Sequence, residues 1–225
     1  MIGVGNKVMI PKVNGKITDV ELRAIGTMYA ANVLAGGNGK INMPAGVEIG
    51  DLCFGVVLRS HRYVAASSTN LTSGWTLIDT KYTVPLSVAI GYKVIDGSEG
   101  SSFRVNPVLT SNALFLSFAF AFKGNPSFSA ESWKNVVNST SINIGSYGIG
   151  GVPLYYATIL AIQDDVPVQF VPSPLEEKVF YYSSSGANGA LYLFSSEFKA
   201  NQSGDFQGLS MATSEYHTSI HIKLS

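Results

Sequence analysis

Three histidines (His61, His217 and His221), one cysteine (Cys53) and the acid pairs Asp164-Asp165 and Glu176-Glu177 are the first residues of this 225-residue chain to weigh for chemistry. His217-x-x-x-His221 would chelate a metal on a helix, where residues four apart stack on one face. The stretch 218–224 alternates instead, with Ile220, Ile222 and Leu224 on one side and Ser219, His221 and Lys223 on the other. On such a strand the two imidazoles stand about 13 Å apart, too far to share one ion, and both are expected to face solvent. Adjacent acids on a strand point to opposite faces, so neither pair suits acid/base work, and the Asp-x-Asp-x-Asp spacing of a calcium loop is absent. Serine is abundant, but no Gly-x-Ser-x-Gly elbow occurs. A lone cysteine makes neither an internal disulfide nor a thiolate zinc cluster. Cys53 lies on the small-residue side of its strand and reads as an inert packing thiol. The expectation is a protein that is not an enzyme and carries no metal or cofactor.

The elements around these residues read as strands. Large apolar residues fall on even numbers in three runs: Leu52 to Leu58, Leu86 to Val94, and Leu114 to Phe122. Odd positions hold Cys53, Gly55, Arg59, Ser87, Ala89, Gly91, Ser117, Ala119 and Ala121. Period-two alternation marks strands with one face on a core. Turn signals at Gly50-Asp51, Thr72-Ser-Gly74, Asp96-Gly97, Asn106-Pro107 and Gly124-Asn-Pro126 punctuate them. Gly91 inside a strand predicts a bulge or the close approach of another layer, and Trp75 is expected to plug one end of the core. The fold class is all-β: a two-sheet β-sandwich of jelly-roll type with a short N-terminal arm. The arm is residues 1–30 and the sandwich 31–225.

Charged residues are only 13% of the chain, which excludes a disordered, self-repelling polymer. Fifteen basic residues balance fifteen acidic ones without a basic cluster, so nucleic-acid and anionic-membrane partners are disfavoured. The longest basic grouping, Arg59-Ser-His-Arg62, reads as a solvated loop. No signal-peptide run opens the chain, and the most apolar stretch, 113–122, is about half the length of a membrane helix.

Residues 1–17 carry Val4, Val8, Met9 and Ile10 beside glycines, and Asn14-Gly15 is a hairpin signal. These four apolar residues are the candidate docking contacts. Over 18–34, Thr18-x-x-Glu21 resembles a capping box and Leu22, Ile25, Met28, Tyr29 and Val33 fit one helical face, predicting a short helix that runs into a strand. The second half looks like a degenerate copy of the first. Tyr92-Lys-Val-Ile-Asp-Gly-Ser-Glu99 aligns with Phe198-Lys-Ala-Asn-Gln-Ser-Gly-Asp205, an offset of 106 (198 − 92), which suits interleaved halves spanning 46–124 and 142–225. Tyrosines crowd the loops of that half. Tyr147, Tyr155 and Tyr156 are the candidate glycan or partner contacts, since aromatic faces stack on sugars and anchor interfaces.

The ordered motifs Pro44-Ala-Gly-Val-x-x-Gly-Asp-Leu, Gly74-Trp-Thr-Leu-Ile and Ser87-Val-Ala-Ile-Gly-Tyr-Lys-Val-Ile-Asp-Gly-Ser-Glu99 resemble a module of tailed-bacteriophage structural proteins. Such proteins typically read PAGV–GDLL, GWTLI and YYKVADGSE, with a small-residue strand ending near YRG, here Phe120-Ala-Phe-Lys-Gly124. The resemblance covers about 30–225 and implies a virion component, either capsid decoration or a tail/fibre accessory protein. It brings no catalytic residues. It further implies other virion proteins as partners, a homo-oligomer, and a small-residue face (Ser87, Ala89, Gly91, Ser117, Ala119, Ala121) available for close packing between copies. The alternative from the residues is a carbohydrate-binding module on host-surface glycans.

The arm carries the first test. If residues 1–17 dock on a neighbouring virion protein by strand addition, deleting them should leave the melting temperature within a few degrees while abolishing incorporation into particles. Unfolding on deletion, or unimpaired incorporation, sinks the docking-arm idea.

Overall fold

A computed structural model of the chain describes residues 20–33, 39–60, 70–71, 74–83, 86–106, 113–131, 137–142, 146–147, 154–163, 168–170, 176–183, 189–198, 204–205 and 209–225. Val4, Val8, Met9 and Ile10 lie outside them. In order the strands are β1 (Leu22–Ile25), β2 (Tyr29–Val33), β3 (Gly39–Asn42), β4 (Leu52–Ser60), β5 (Asn70–Leu71), β6 (Thr76–Thr83), β7 (Leu86–Val94), β8 (Ser102–Asn106) and β9 (Ala113–Phe122). Then come β10 (Phe128–Ala130), β11 (Val137–Ile142), β12 (Ser146–Tyr147), β13 (Leu154–Ile162), β14 (Val168–Phe170), β15 (Glu176–Ser183), β16 (Gly189–Phe198), β17 (Gly204–Asp205) and β18 (Leu209–Leu224). No helix occurs among the described residues, and every pairing is antiparallel.

The even-numbered apolar residues behave as the alternation requires. Leu52, Phe54, Val56, Leu58, Val88, Ile90, Leu116, Phe118, Phe120 and Phe122 are all buried in one core. Facing them are Tyr155, Ala157, Ile159 and Ala161 of β13, Leu191 and Leu193 of β16, and Ile220, Ile222 and Leu224 of β18. Two large sheets therefore share a single apolar interior. Bulk is divided unequally across it: the first sheet contributes a stacked Phe54–Phe120 pair at 5.3 Å, while β13 offers two alanines opposite. Phe128 of β10 reaches back to contact both Phe54 and Tyr92 edge-on.

The first sheet runs β1-β9-β4-β7-β6, with β2 also on β9; the second runs β10-β18-β13-β16-β15, with β11 also on β18. Six of the seven strands of the second sheet stand nine elements after a counterpart in the first; the exception is β14, which pairs with β18 whereas β5 pairs with β8. The same holds for the satellite pairs β3–β8 and β12–β17. Loop hydrogen bonds repeat too: Lys123 N–H to Glu21 O is matched by Ser225 N–H to Ser127 O, and Gly26 N–H to Ala119 O by Glu131 N–H to His221 O. The offset differs from the one read along the sequence. Leu52 pairs with Phe122 and Tyr155 with Leu224, displacements of 103 (155 − 52) and 102 (224 − 122). Tyr92, opposite Phe54, thus corresponds to Ser195, opposite Ala157, and not to Phe198. Nor do the halves interleave, because each large sheet is drawn from one contiguous half.

The helix expected over 18–34 is not found in the described part of that stretch, 20–33. These residues form β1 and β2, both laid on β9, so the first sheet begins inside the stretch assigned to the arm. Gly26 separates the two strands and donates its N–H to Ala119 O at 2.7 Å. A long apolar neighbour with a free edge outweighs weak helical periodicity interrupted by glycine.

A third, three-stranded sheet β3-β8-β5 covers the odd-numbered face of the first. Ile41 of β3 joins Cys53, Val57, Phe115, Ala119 and Ala121 in a second buried cluster. Trp75 packs there instead of plugging the main core, edge-on to Phe103 with centroids 5.3 Å apart. Gly55 makes room for it, since a Cβ at that position would lie 2.9 Å from the indole. The anticipated bulge falls on β6, between Leu77 and Asp79, opposite Gly91 and Ile90. β15 bulges at the matching place, between Glu177 and Val179, opposite Phe194 and Leu193.

Phe118→Ala removes a fully buried ring from the shared core and should cost about 3–5 kcal/mol in denaturant unfolding. Lys123→Ala, at a side chain 62% exposed, should change stability by about 0.5 kcal/mol or less. Similar losses from both would contradict the assignment of the two faces.

Candidate functional site

Charged side chains converge where β4 begins and where β7 and β9 end. Gly50, at φ 94°, turns the chain into β4, and Asp51 follows with its side chain 2% exposed. Its carboxylate accepts the Gly124 N–H on Oδ1 and the Glu48 N–H on Oδ2, each at 2.8 Å. Arg23 Nε lies 2.6 Å from the second oxygen, and the same guanidinium reaches both carboxylate oxygens of Glu48 at 2.9 Å. Main-chain bonds complete the junction: Ile95 N–H to Asp51 O, Gly50 N–H to Ile95 O, and Leu52 N–H to Gly124 O. One residue thereby holds β1, the 44–50 turn, the end of β7 and the end of β9 together.

Beside it, the turn after β7 is built around Glu99. Lys93 Nζ lies 2.5 Å from Glu99 Oε1, with the two side chains only 10% and 5% exposed, and the ammonium sits over the Phe103 ring. Glu99 also accepts the Asp96 N–H at 3.1 Å and the Gly97 N–H at 2.9 Å, while Asp96 Oδ1 accepts the Ser98 N–H at 2.8 Å. Burial opposes the charge on Glu99, but the Lys93 ammonium and these backbone donors outweigh it and hold the carboxyl below its ordinary range. Ile49, 77% exposed, lies against Gly97 at the tip.

The structure redistributes the residues singled out in the sequence. Tyr155 is 2% exposed, donates its hydroxyl to Ser195 Oγ at 2.7 Å and packs edge-on to Phe122. Tyr156 is fully buried and stacks on His221. Neither presents a face to a sugar or a partner, because the outward side of β13 is covered as well as the inward one. Tyr147 lies on β12, paired with Gly204, away from both in the chain's pairing scheme. The small-residue face is likewise not free for neighbouring copies. Ser87, Ala89, Gly91, Ser117, Ala119 and Ala121 are all buried, and the Ser117 hydroxyl donates to Lys40 O of β3.

Two further expectations fail for the same reason. His217 and His221 are 4% and 0% exposed, not solvated. Arg59 is a buried residue of β4 instead of part of a loop, and burial lowers its pKa. His221 Nδ1 lies 3.0 Å from Thr158 Oγ1, and His217 Nδ1 donates to Glu215 O at 3.0 Å. Cys53 is buried as expected, and desolvation, reinforced by Glu99, drives its thiol pKa well up, so it stays protonated and unreactive. Among the described residues no group of three or more His, Cys, Asp or Glu is placed to hold a metal ion. No helix there is long and apolar enough to cross a membrane.

The chain matches no protein-family model, no curated protein and no solved structure. What the geometry offers is cohesion: its best-formed polar clusters join strand ends. In the sequence, Gly50-Asp51 and Asp96-Gly97 read as turn punctuation, and nothing local marks Arg23, Lys93 or Glu99. The available signal is an acid set immediately before the apolar run Leu52–Leu58, a position that needs a buried partner.

In the second half, His217 on β18 gives the fold a defined response to acid. Burial depresses its pKa, partly offset by the bond to Glu215 O. The unfolded chain therefore binds a proton below about pH 6.5 that the folded chain resists. This contribution to stability is complete above that value and lost as pH falls toward the folded pKa. Melting temperatures measured between about pH 8 and 5 should fall more steeply for the native chain than for His217→Gln. Parallel curves would show that His217 does not control the acid limb.

Proposed function

We propose that this chain is a non-enzymatic structural protein of a tailed-bacteriophage virion, serving as capsid decoration or as a tail or fibre accessory component. The observation that carries the reading is the ordered set Pro44-Ala-Gly-Val, Gly50-Asp-Leu, Gly74-Trp-Thr-Leu-Ile and Tyr92-Lys-Val-Ile-Asp-Gly-Ser-Glu99. In this protein those motifs supply the Asp51 junction, the indole over Gly55 and the Lys93–Glu99 turn. A module recognised by its architectural residues, and not by a reactive centre, suits a shell or tail component. Its partners are other virion proteins and further copies of itself, and it resides in the virion.

The same reading gives each half a jelly-roll plan. In the first half the order β2-β9-β4-β7 lies against β3-β8-β5, and successive strands β2 to β5 alternate between the two layers. The strand order β11-β18-β13-β16 and the pair β12–β17 support the same plan for the second half. On this view the chain is a tandem of two units, each smaller than the single sandwich first expected.

The test is composition of the particle. Quantitative mass spectrometry of purified virions from the parent phage should find this chain in a fixed copy number, a multiple of the symmetry of capsid or tail. Its absence from washed particles refutes the proposal. With Tyr155 and Tyr156 buried, the glycan-binding alternative retains only Tyr147, and specific binding on a glycan array would restore it.

A further inference from the structure

The turn after β7 contains the chain's single Asp-Gly sequence, Asp96-Gly97. Asp-Gly is the aspartyl sequence most prone to isomerise, because glycine leaves its own amide open to attack the preceding carboxyl. In that step the Gly97 nitrogen bonds to Cγ of the protonated Asp96 carboxyl, the carboxyl hydroxyl and the amide proton leave together as water, and a succinimide forms. Water then reopens the ring at either carbonyl, giving aspartate or isoaspartate with no net loss of atoms and no redox change. Both Asp96 and Gly97 are exposed, so burial gives no protection.

We infer that Asp96-Gly97 is a latent isoaspartate site held inert by the Glu99 carboxylate. Three features of the turn block the reaction, and two are geometric. The Gly97 N–H, the nucleophile, donates to Glu99 Oε2 at 2.9 Å, so turning this peptide to attack Asp96 must break that bond. Asp96 Oδ1 is fixed by the Ser98 N–H at 2.8 Å, so the rotation that would bring Cγ onto the Gly97 nitrogen breaks a bond. Hydrogen bonds from the Ser98 side chain and backbone also hold the Asp96 carboxyl below its ordinary pKa, disfavouring the protonated form that loses water. Glu99 itself is fixed by Lys93 and is 5% exposed, so its own position is secured by packing. The inference does not depend on the virion reading.

The experiment incubates the full chain at neutral pH and 37 °C and measures isoaspartate at position 96 by peptide mapping. A synthetic peptide of residues 93–101 and the variants Glu99→Ala and Lys93→Met are run alongside. Isomerisation in the native chain should be slower than in the peptide, and Glu99→Ala should raise it by on the order of tenfold, the factor set by losing one charge-assisted hydrogen bond. Lys93→Met, which removes the ion pair but leaves the Glu99 acceptor, should destabilise the fold without a comparable rise. Circular dichroism checks that each variant is folded; if Glu99→Ala is not, Glu99→Gln replaces it and should give a smaller rise. A native chain that isomerises at the peptide's rate overturns the inference, as does a folded Glu99 variant that isomerises no faster than the native chain.

Discussion

The Asp51 carboxylate is the constraint on which the first half depends. An ionised acid out of water is tolerated only when its charge is matched and its lone pairs are filled. Here the matching comes from Arg23 and the filling from the amides of Glu48 and Gly124. Glu48 is a near neighbour, but Arg23 and Gly124 are distant in sequence, and neither can leave alone without stranding the charge. The register of β4 against β7 and β9, and hence which residues meet in the core, is pinned at this end. The small sheet β3-β8-β5 then closes the other face, with the indole of Trp75 filling the space above Gly55.

The second half repeats the strand order but has changed the content of its outer face. At the positions where β4 and β9 carry Gly55, Ala119 and Phe115, β13 and β18 carry Thr158, His221 and His217. The inner face has diverged in the complementary direction, with phenylalanines on one side and alanines on the other. Bulk on one sheet and small residues on the other allow close approach without overpacking. The two halves are thus fitted to each other and not to copies of themselves.

Much of the fold was legible in the sequence, because period-two alternation reports which face of a strand is the more apolar. Leu52 to Leu58 and Leu114 to Phe122 could be read this way without help. Alternation does not report whether the opposite face is also covered. That depends on short, patternless segments such as Gly39–Asn42, which covers the odd-numbered face of the first sheet, and the burial of Tyr156, His217 and His221 is equally invisible to alternation. Local signals also misled where a long-range edge decided the outcome, as in β1 and β2. The polar clusters were hidden for a related reason: Arg23 and Asp51, or Asp51 and Gly124, become neighbours only once the strands are paired. Conserved spacing between halves was blurred by unequal displacements in different strands, so the lysine-centred alignment slid past the true one.

The matching irregularities in β6 and β15 have a consequence for crowded conditions. These are the terminal strands of the two large sheets, and each carries an extra residue at the equivalent place. A bulge twists the strand and interrupts its row of main-chain donors and acceptors, so a newcomer cannot pair in register along it. The opposite margins are blunted differently, by two short strands sharing β9 and by several sharing β18. Wherever copies of a chain this rich in β-structure are crowded together, such edges work against sheets annealing edge to edge into fibrils.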